Sequence, residues 1–146
     1  AFASILCDDK RSEFLGGPFL RDEAWAAFSQ AIATWILHRH GLWIIDAQTA
    51  PSAGFIVLGF EYSDPEPELG VFLTDDAEGH GYAQEAAEAV LAHAWNDLGW
   101  ETLASYVNSS NLRCISLMER LKATRDSEAE DALNDGTLVF RHNKGA

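Results

Sequence analysis

Apolar side chains fall along this chain in two periods, one helical and one extended. Between residues 21 and 39, Trp25, Phe28, Ile32, Trp35 and Ile36 recur at steps of three or four, which predicts a helix. Asp22 and Glu23 stand at its start and His38, Arg39 and His40 at its end, where Gly41 stops it. Residues 42–47, 55–62 and 68–74 read as strands, joined by turns at 49–54 and 63–67 that carry prolines. Three strands on short turns predict an antiparallel meander. Residues 81–98 are rich in Ala, Glu and Leu and predict a second long helix. A strand follows at 103–107, then a helix at about 111–121 capped by Ser109 or Ser110, then a last strand at 136–141. Residues 8–20 read as a short helix running into a Gly16-Gly17-Pro18 break. The order helix, three strands, helix, strand, helix, strand predicts an α/β (α+β) domain around one mixed sheet.

Between the third strand and the second long helix lies Glu78-Gly79-His80-Gly81-Tyr82-Ala83-Gln84-Glu85-Ala86. Two glycines let the backbone turn sharply with no Cβ in the way. The helix behind them offers unpaired N–H groups and the positive end of its dipole. Strand, glycine turn and helix start make an anion site suited to a pyrophosphate. A dinucleotide fold is disfavoured, because its longer glycine fingerprint comes early in a βαβ unit.

Composition narrows the partners. The 146 residues suffice for one domain, 1–146, with a proper core, and 47% apolar against 23% charged residues make it globular. With 23 acidic against 10 basic residues, the formal charge of -13 argues against nucleic acid or anionic membranes as partners. It suits a cationic or amine-bearing partner, or simply a solubilising surface. Cys7 and Cys114 have neither metal-site spacing nor a disulfide framework, so a reducing, cytoplasmic setting is expected and no metal. There is no apolar run of membrane-spanning length and no signal peptide. The chain begins Ala-Phe-Ala, without Met, so residues missing or removed upstream are an expectation.

In order along the chain stand Phe14-Leu15-Gly16-Gly17-Pro18, Trp25, Gly41-Leu42-Trp43, Glu68-Leu69-Gly70, the glycine loop, Asn111-Leu112-Arg113-Cys114-Ile115, Glu119-Arg120-Leu121 and Arg141-His142. Together they resemble the GNAT superfamily of N-acetyltransferases, and within it the RimJ/RimL-like branch, over nearly the whole chain. The resemblance implies a sheet with two neighbouring strands splayed into a wedge, acetyl-CoA as acetyl donor, and an amine acceptor, either a small molecule or a protein N-terminus. It allows a homodimer. By position, Val71, Phe72 and Leu73 would line the pantetheine arm through their backbone. Gly79, His80, Gly81, Tyr82, Ala83 and Gln84 would present N–H groups to the pyrophosphate, and Asn111 would contact the cofactor from the far side.

Four features depart from the pattern. Glu78 occupies a position usually held by Gln or Arg, and a carboxylate beside a pyrophosphate is unfavourable unless it turns to solvent. Met118 replaces the Tyr that many relatives use to protonate the leaving thiolate, and Lys122 replaces a Gly. A first strand rich in Leu and Arg is not visible upstream of Ala1. These departures support a rival reading, a non-catalytic acyl-CoA-binding or regulatory domain of the same fold.

For the reaction the resemblance implies, an amine must lose a proton and a thiolate gain one. Positioning does much of the work, an N–H of the splayed strand would polarise the carbonyl, and acid–base groups add on the order of 10²–10⁴-fold. Glu68, at the start of the strand that would hold the acetyl group, is the first candidate base; the alternative is a solvated strand end. Glu61 is a weaker second. Cys114 stands where some relatives have Ser, and is either the proton donor or a small buried apolar residue. Ser116 is a looser alternative donor, and an acetyl-cysteine route lacks a nearby His or Asp. His80 reads as a base or phosphate contact, or as a loop residue whose backbone alone matters. His38 and His40 read as helix-end residues or as the border of an acceptor pocket. Trp25, Phe28 and Trp35 are expected in the core, with an acceptor-pocket wall as the alternative.

Overall fold

The computed structural model describes residues 1–60 and 62–145. Its elements are α1 (Phe2–Leu6), α2 (Arg21–His38), β1 (Gly41–Ala47), β2 (Ala50–Gly59), β3 (Glu68–Leu73), α3 (Tyr82–Asn96), β4 (Thr102–Asn108), α4 (Leu112–Arg120), β5 (Thr124–Arg125), α5 (Ser127–Leu133) and β6 (Thr137–Asn143). The six strands form one sheet in the order β1-β2-β3-β4-β6-β5. The meander β1-β2-β3 is antiparallel, as are β4/β6 and β5/β6. Only β3 and β4 run parallel, because the long α3 crossover separates them.

Helices cover both faces. Ala87, Val90, Leu91 and Ala94 form the buried stripe of α3, at helical spacing, and pack on Ile45, Ile56, Leu58, Leu69 and Leu103. Each of the fully buried Ile56, Leu58 and Leu103 contributes about 1.5–3 kcal/mol by leaving water. On the other face α1 and α2 set Ile5 and Phe28 against Leu42 and Phe55. A third cluster, Val107, Leu117, Met118 and Phe140, seats α4 beside β4 and β6.

The mixed α/β sheet is the expected one, with local corrections. The helix expected over residues 8–20 lies instead at Phe2–Leu6, and the chain then runs in turns. Asp8 causes this: its carboxylate accepts the N–H groups of Lys10 and Arg11, at 3.0 and 2.8 Å, in competition with helical bonding. β2 starts at Ala50, inside the expected turn, because Ala47 pairs with Ala50 across a two-residue connection. It ends at Gly59, where a Cβ would stand 2.1 Å from His40 Nδ1. The cap of α4 is Asn111, neither Ser109 nor Ser110. Trp25, expected in the core, is 70% exposed, on one helical face with Ile32 and Ile36. Trp35 is half-buried and donates its indole N–H to Leu42 O at 2.8 Å. β5 and α5 were not expected at all; Asp126 caps α5 by accepting from Ala129 N–H at 3.1 Å.

Candidate active site

The parallel pair β3/β4 opens almost as soon as it forms. It has one bridge, Glu68 with Ala104, held by Ala104 N–H to Pro67 O at 2.9 Å. One residue further, contact is carried by a side chain: the buried Ser105 hydroxyl donates to Leu69 O at 2.7 Å. Beyond it the strands diverge around a cavity of about 770 Å³. The β3 edge facing it runs through Leu69, Gly70, Val71, Phe72 and Leu73.

At the far end of that edge the chain makes a 3₁₀ turn, Asp75–Ala77, and enters the glycine loop. Gly79 and Gly81 have φ of +78° and +82°, a region L side chains avoid, and neither would have an atom within 4 Å of an added Cβ. Gly81 is the N-cap of α3, whose first intrahelical bonds run from Gln84 and Glu85 to Gly81 O. The N–H groups of Tyr82 and Ala83 precede them and have no partner within the helix. Gly79, Gly81, Ala83 and Gln84 line the cavity. The side chains of His80 and Tyr82 do not. Their rings stack at 5.5 Å, and Tyr82 Oη shares a 2.7 Å hydrogen bond with Thr49 Oγ1 on the β1–β2 turn. Neither residue is part of the cavity lining.

The opposite wall is β4 and α4. Asn111 lines the cavity, and its Oδ1 accepts the Cys114 N–H at 3.1 Å, so this side chain starts the helix. Cys114, Ser116 and Met118 follow on the same wall. Met118 is 1% exposed and has no proton to give. Burial, and then the charge of Glu68, push the Cys114 thiol up to about 11. It stays protonated through the neutral range, the state of a weak hydrogen-bond donor and of a poor nucleophile. Glu68 lines the cavity at the bridge itself. Glu61 lies outside the described residues.

Three groups were given no role from sequence. Tyr106 lines the cavity and donates to Glu66 Oε1 at 3.0 Å; burial, and then that carboxylate, push its phenol up to about 12. Arg141 in turn donates to Glu66 and to Asp126. Ser105, which donates to Leu69, also sits 3.0 Å from His142 Nε2. That hydroxyl's proton is committed, so Nε2 carries the imidazole proton, and the buried Nδ1 has no partner among the described residues. Burial, and then Arg141, push His142 down to about 4, so it is neutral near pH 7. The third group is the pair Arg11 and Arg113, both on the cavity wall and both bonded to Glu78. Burial works to raise the Glu78 carboxyl, but hydrogen bonds and charge from the two arginines outweigh it and hold it below its ordinary range.

The wall fits a long phosphate-bearing ligand with a polar arm. An open strand edge offers alternating N–H and C=O groups, glycines clear the approach to a helix start, and guanidinium groups stand beside it. Among the described residues, no group of three or more His, Cys, Asp or Glu is placed to hold a metal. No helix among them is long and apolar enough to cross a membrane.

Residues 1–124 match the family model described as Acetyltransferase (GNAT) domain. An acetyltransferase crystal structure from Agrobacterium tumefaciens str. C58 is 32% identical, with a TM-score of 0.85 over 98% of this chain and 83% of that one. Two more distant structures share the fold. A GNAT-family acetyltransferase from Bacillus anthracis is 14% identical, with a TM-score of 0.77 over 99% of this chain and 87% of its own. A spermidine N-acetyltransferase from Vibrio cholerae, in complex with CoA and spermine, is 12% identical, with a TM-score of 0.70 over 95% of this chain and 84% of its own.

Proposed function

This chain belongs to the GNAT acetyltransferase family, and on that premise we propose that it acetylates a primary amine, on a protein N-terminus or a small molecule. It is an acyltransferase, and acetyl-CoA is the donor its family uses. We place it in the RimJ/RimL-like branch on its Gly16-Gly17-Pro18, Glu68-Leu69-Gly70 and Asn111-to-Ile115 segments, and in the cytoplasm on its two uncoupled thiols. One observation carries the reading: the single β3/β4 bridge opens a cavity whose edge strand leads directly to the glycine loop at the start of α3.

Bound there, acetyl-CoA supplies an acyl group activated as a thioester. The chain's own residues do the rest. The β3 edge 71–73 holds the arm through its backbone, and the N–H groups of 79–84 take the pyrophosphate. Glu68 receives the amine's proton, directly or through water. Cys114 donates a hydrogen bond to the leaving sulfur. Complete transfer from a thiol near 11 to a thiolate of ordinary pKa near 8.5 is uphill by about 3 kcal/mol, so its part is stabilisation more than delivery. Asn111 acts indirectly, by fixing the first turn of α4 and with it Cys114.

The test is calorimetric titration with acetyl-CoA, followed by thiol release over a panel of amines. Saturable binding by the wild type, lost in a folded Gly81→Trp variant, is expected. The φ of +82° costs any side chain there about 1–2 kcal/mol, which a melting curve would register separately. A folded wild type that leaves acetyl-CoA unbound would overturn the reading.

A further inference from the structure

Glu78 sits at the mouth of the glycine loop, where a negative charge would repel phosphate. Its surroundings remove that repulsion. Arg11 Nη1 donates to Glu78 Oε1 at 2.5 Å, and Arg113 Nη1 donates to Oε1 and Oε2 at 2.6 and 2.8 Å. Arg11 also donates to Asp75, with Lys10 3.9 Å from the same carboxylate. Three cations meet two carboxylates, leaving one positive charge in surplus. The parts come from three places: Arg11 from the turns after α1, Glu78 from the end of the 3₁₀ turn, Arg113 from the first turn of α4.

We propose that Arg11 and Arg113 are the phosphate-binding pair of the cavity, and that Glu78 is a built-in counter-anion which a phosphate-bearing ligand displaces from them. A carboxylate and a phosphate present similar oxygens to a guanidinium fork, so one can replace the other. Arg11 is only 9% exposed, and a guanidinium so far from water requires an anion at all times; Glu78 supplies it before the ligand arrives. Glu78 is itself one-third exposed, which gives its carboxylate a route to solvent once displaced. Gly79, the next residue, lines the cavity and has open space where a Cβ would be. The exchange trades one carboxylate charge for the two or more of a diphosphate. It therefore favours the ligand, but by less than free arginines would. Glu78 is thus a brake on donor affinity and a support for the empty cavity.

The inference rests on the donor reading above only for what carries the phosphate. The experiment is calorimetric titration with inorganic pyrophosphate and, separately, acetyl-CoA, for wild type, Glu78→Gln, Arg113→Gln and the double variant. Melting curves check that each is folded. Glu78→Gln is expected to bind both ligands about five- to tenfold more tightly. Arg113→Gln, on a half-exposed side chain, is expected to bind both at least about fivefold more weakly and with a shallower salt dependence. Its loss should be larger in the Glu78→Gln background, where no carboxylate competes for it. Unchanged or weaker pyrophosphate binding by Glu78→Gln would overturn the proposal and make Glu78 a fixed strut. Should Glu78→Gln not fold, undiminished binding by Arg113→Gln would overturn it equally. Acetyl-CoA binding that ignores all the variants would leave the donor reading standing and this inference refuted. Tighter pyrophosphate binding by Glu78→Gln without any acetyl-CoA binding would do the reverse.

Discussion

At the scale of single residues, the cavity sorts its ionisable groups by environment. Glu68 on the β3 side lies within electrostatic reach of Cys114 and Tyr106 on the opposite wall, and its charge contributes to raising both. In the proposed mechanism Glu68 is the proton acceptor, and the raised thiol (about 11) and phenol (about 12) keep Cys114 and Tyr106 protonated. Unequal roles follow. Glu68→Gln is expected to lower kcat on the order of 10²-fold, as removal of a general base does. Cys114→Ala is expected to cost only about two- to tenfold, since a thiol this weakly acidic contributes a hydrogen bond. Steady-state thiol-release kinetics distinguish the two, and a larger loss from Cys114→Ala than from Glu68→Gln would reverse the assignment. The same burial predicts that alkylation of Cys114 by iodoacetamide stays slow from pH 7 to 9, measured by mass spectrometry of its peptide. The family resemblance made both residues candidates, Glu68 by its place at the start of the edge strand and Cys114 by its position after Asn111. It did not point to Arg11. That residue lies 64 positions from Asp75 and 67 from Glu78, and only the turns after α1 bring it to the loop.

Among elements, α4 carries a departure from pattern that the structure explains. Lys122, where a Gly was expected from the resemblance, has φ of 60°. It is the residue after the C-cap Leu121. Lys122 N–H reaches Glu119 O and Ala123 N–H reaches Met118 O, both at 3.0 Å. That pair of bonds is a Schellman ending, and the left-handed residue in it is the one that favours glycine. Lys122→Gly should therefore relieve about 1 kcal/mol of backbone strain, less what glycine loses through a freer unfolded chain. Urea denaturation is expected to show a higher midpoint with an unchanged slope; a lower midpoint would mean that the lysine side chain does more than tolerate the turn. Legibility follows the same logic element by element. The meander and α3 were readable because period and turn residues agreed over long stretches. β5 was not, because two residues carry no period. α5 was not, because its seven residues bury no side chain and so leave no apolar stripe. The splay itself had no local signature: it arises from one strand pairing and one buried serine, 36 residues from the carbonyl it holds.

For the molecule as a whole, these environments bound the pH range of stability. On the acid side the groups are His142, at about 4, and His40, which burial and then the charge of His38 hold below its ordinary value. A histidine whose folded pKa is depressed takes its proton first in the unfolded state. Stability is then complete above pH 6.5 and falls as pH drops through the window down to about 4. For His142 the loss is about 2 kcal/mol at pH 5 and approaches roughly 3 kcal/mol below pH 4. The depressed carboxylates, Glu78 with its two arginines among them, act lower still: their stabilisation is present above the ordinary carboxylate range and is lost as pH falls through their folded values. On the alkaline side the sign reverses. Cys114 and Tyr106 ionise more readily in the unfolded chain, so stability declines as pH rises from about 9. The expected profile is a plateau from about pH 6.5 to 9 with a shoulder on each side. Urea midpoints measured at pH 7.5 and pH 5.0 test the acid shoulder, with His142→Gln as the control that should remove most of it. A wild type equally stable at both values would mean that His142 is protonated in the folded state. Its unpartnered Nδ1 would then have found an acceptor, and the hydrogen-bond chain His142–Ser105–Leu69 that bridges the splayed strands would be carrying a charge instead of a neutral imidazole.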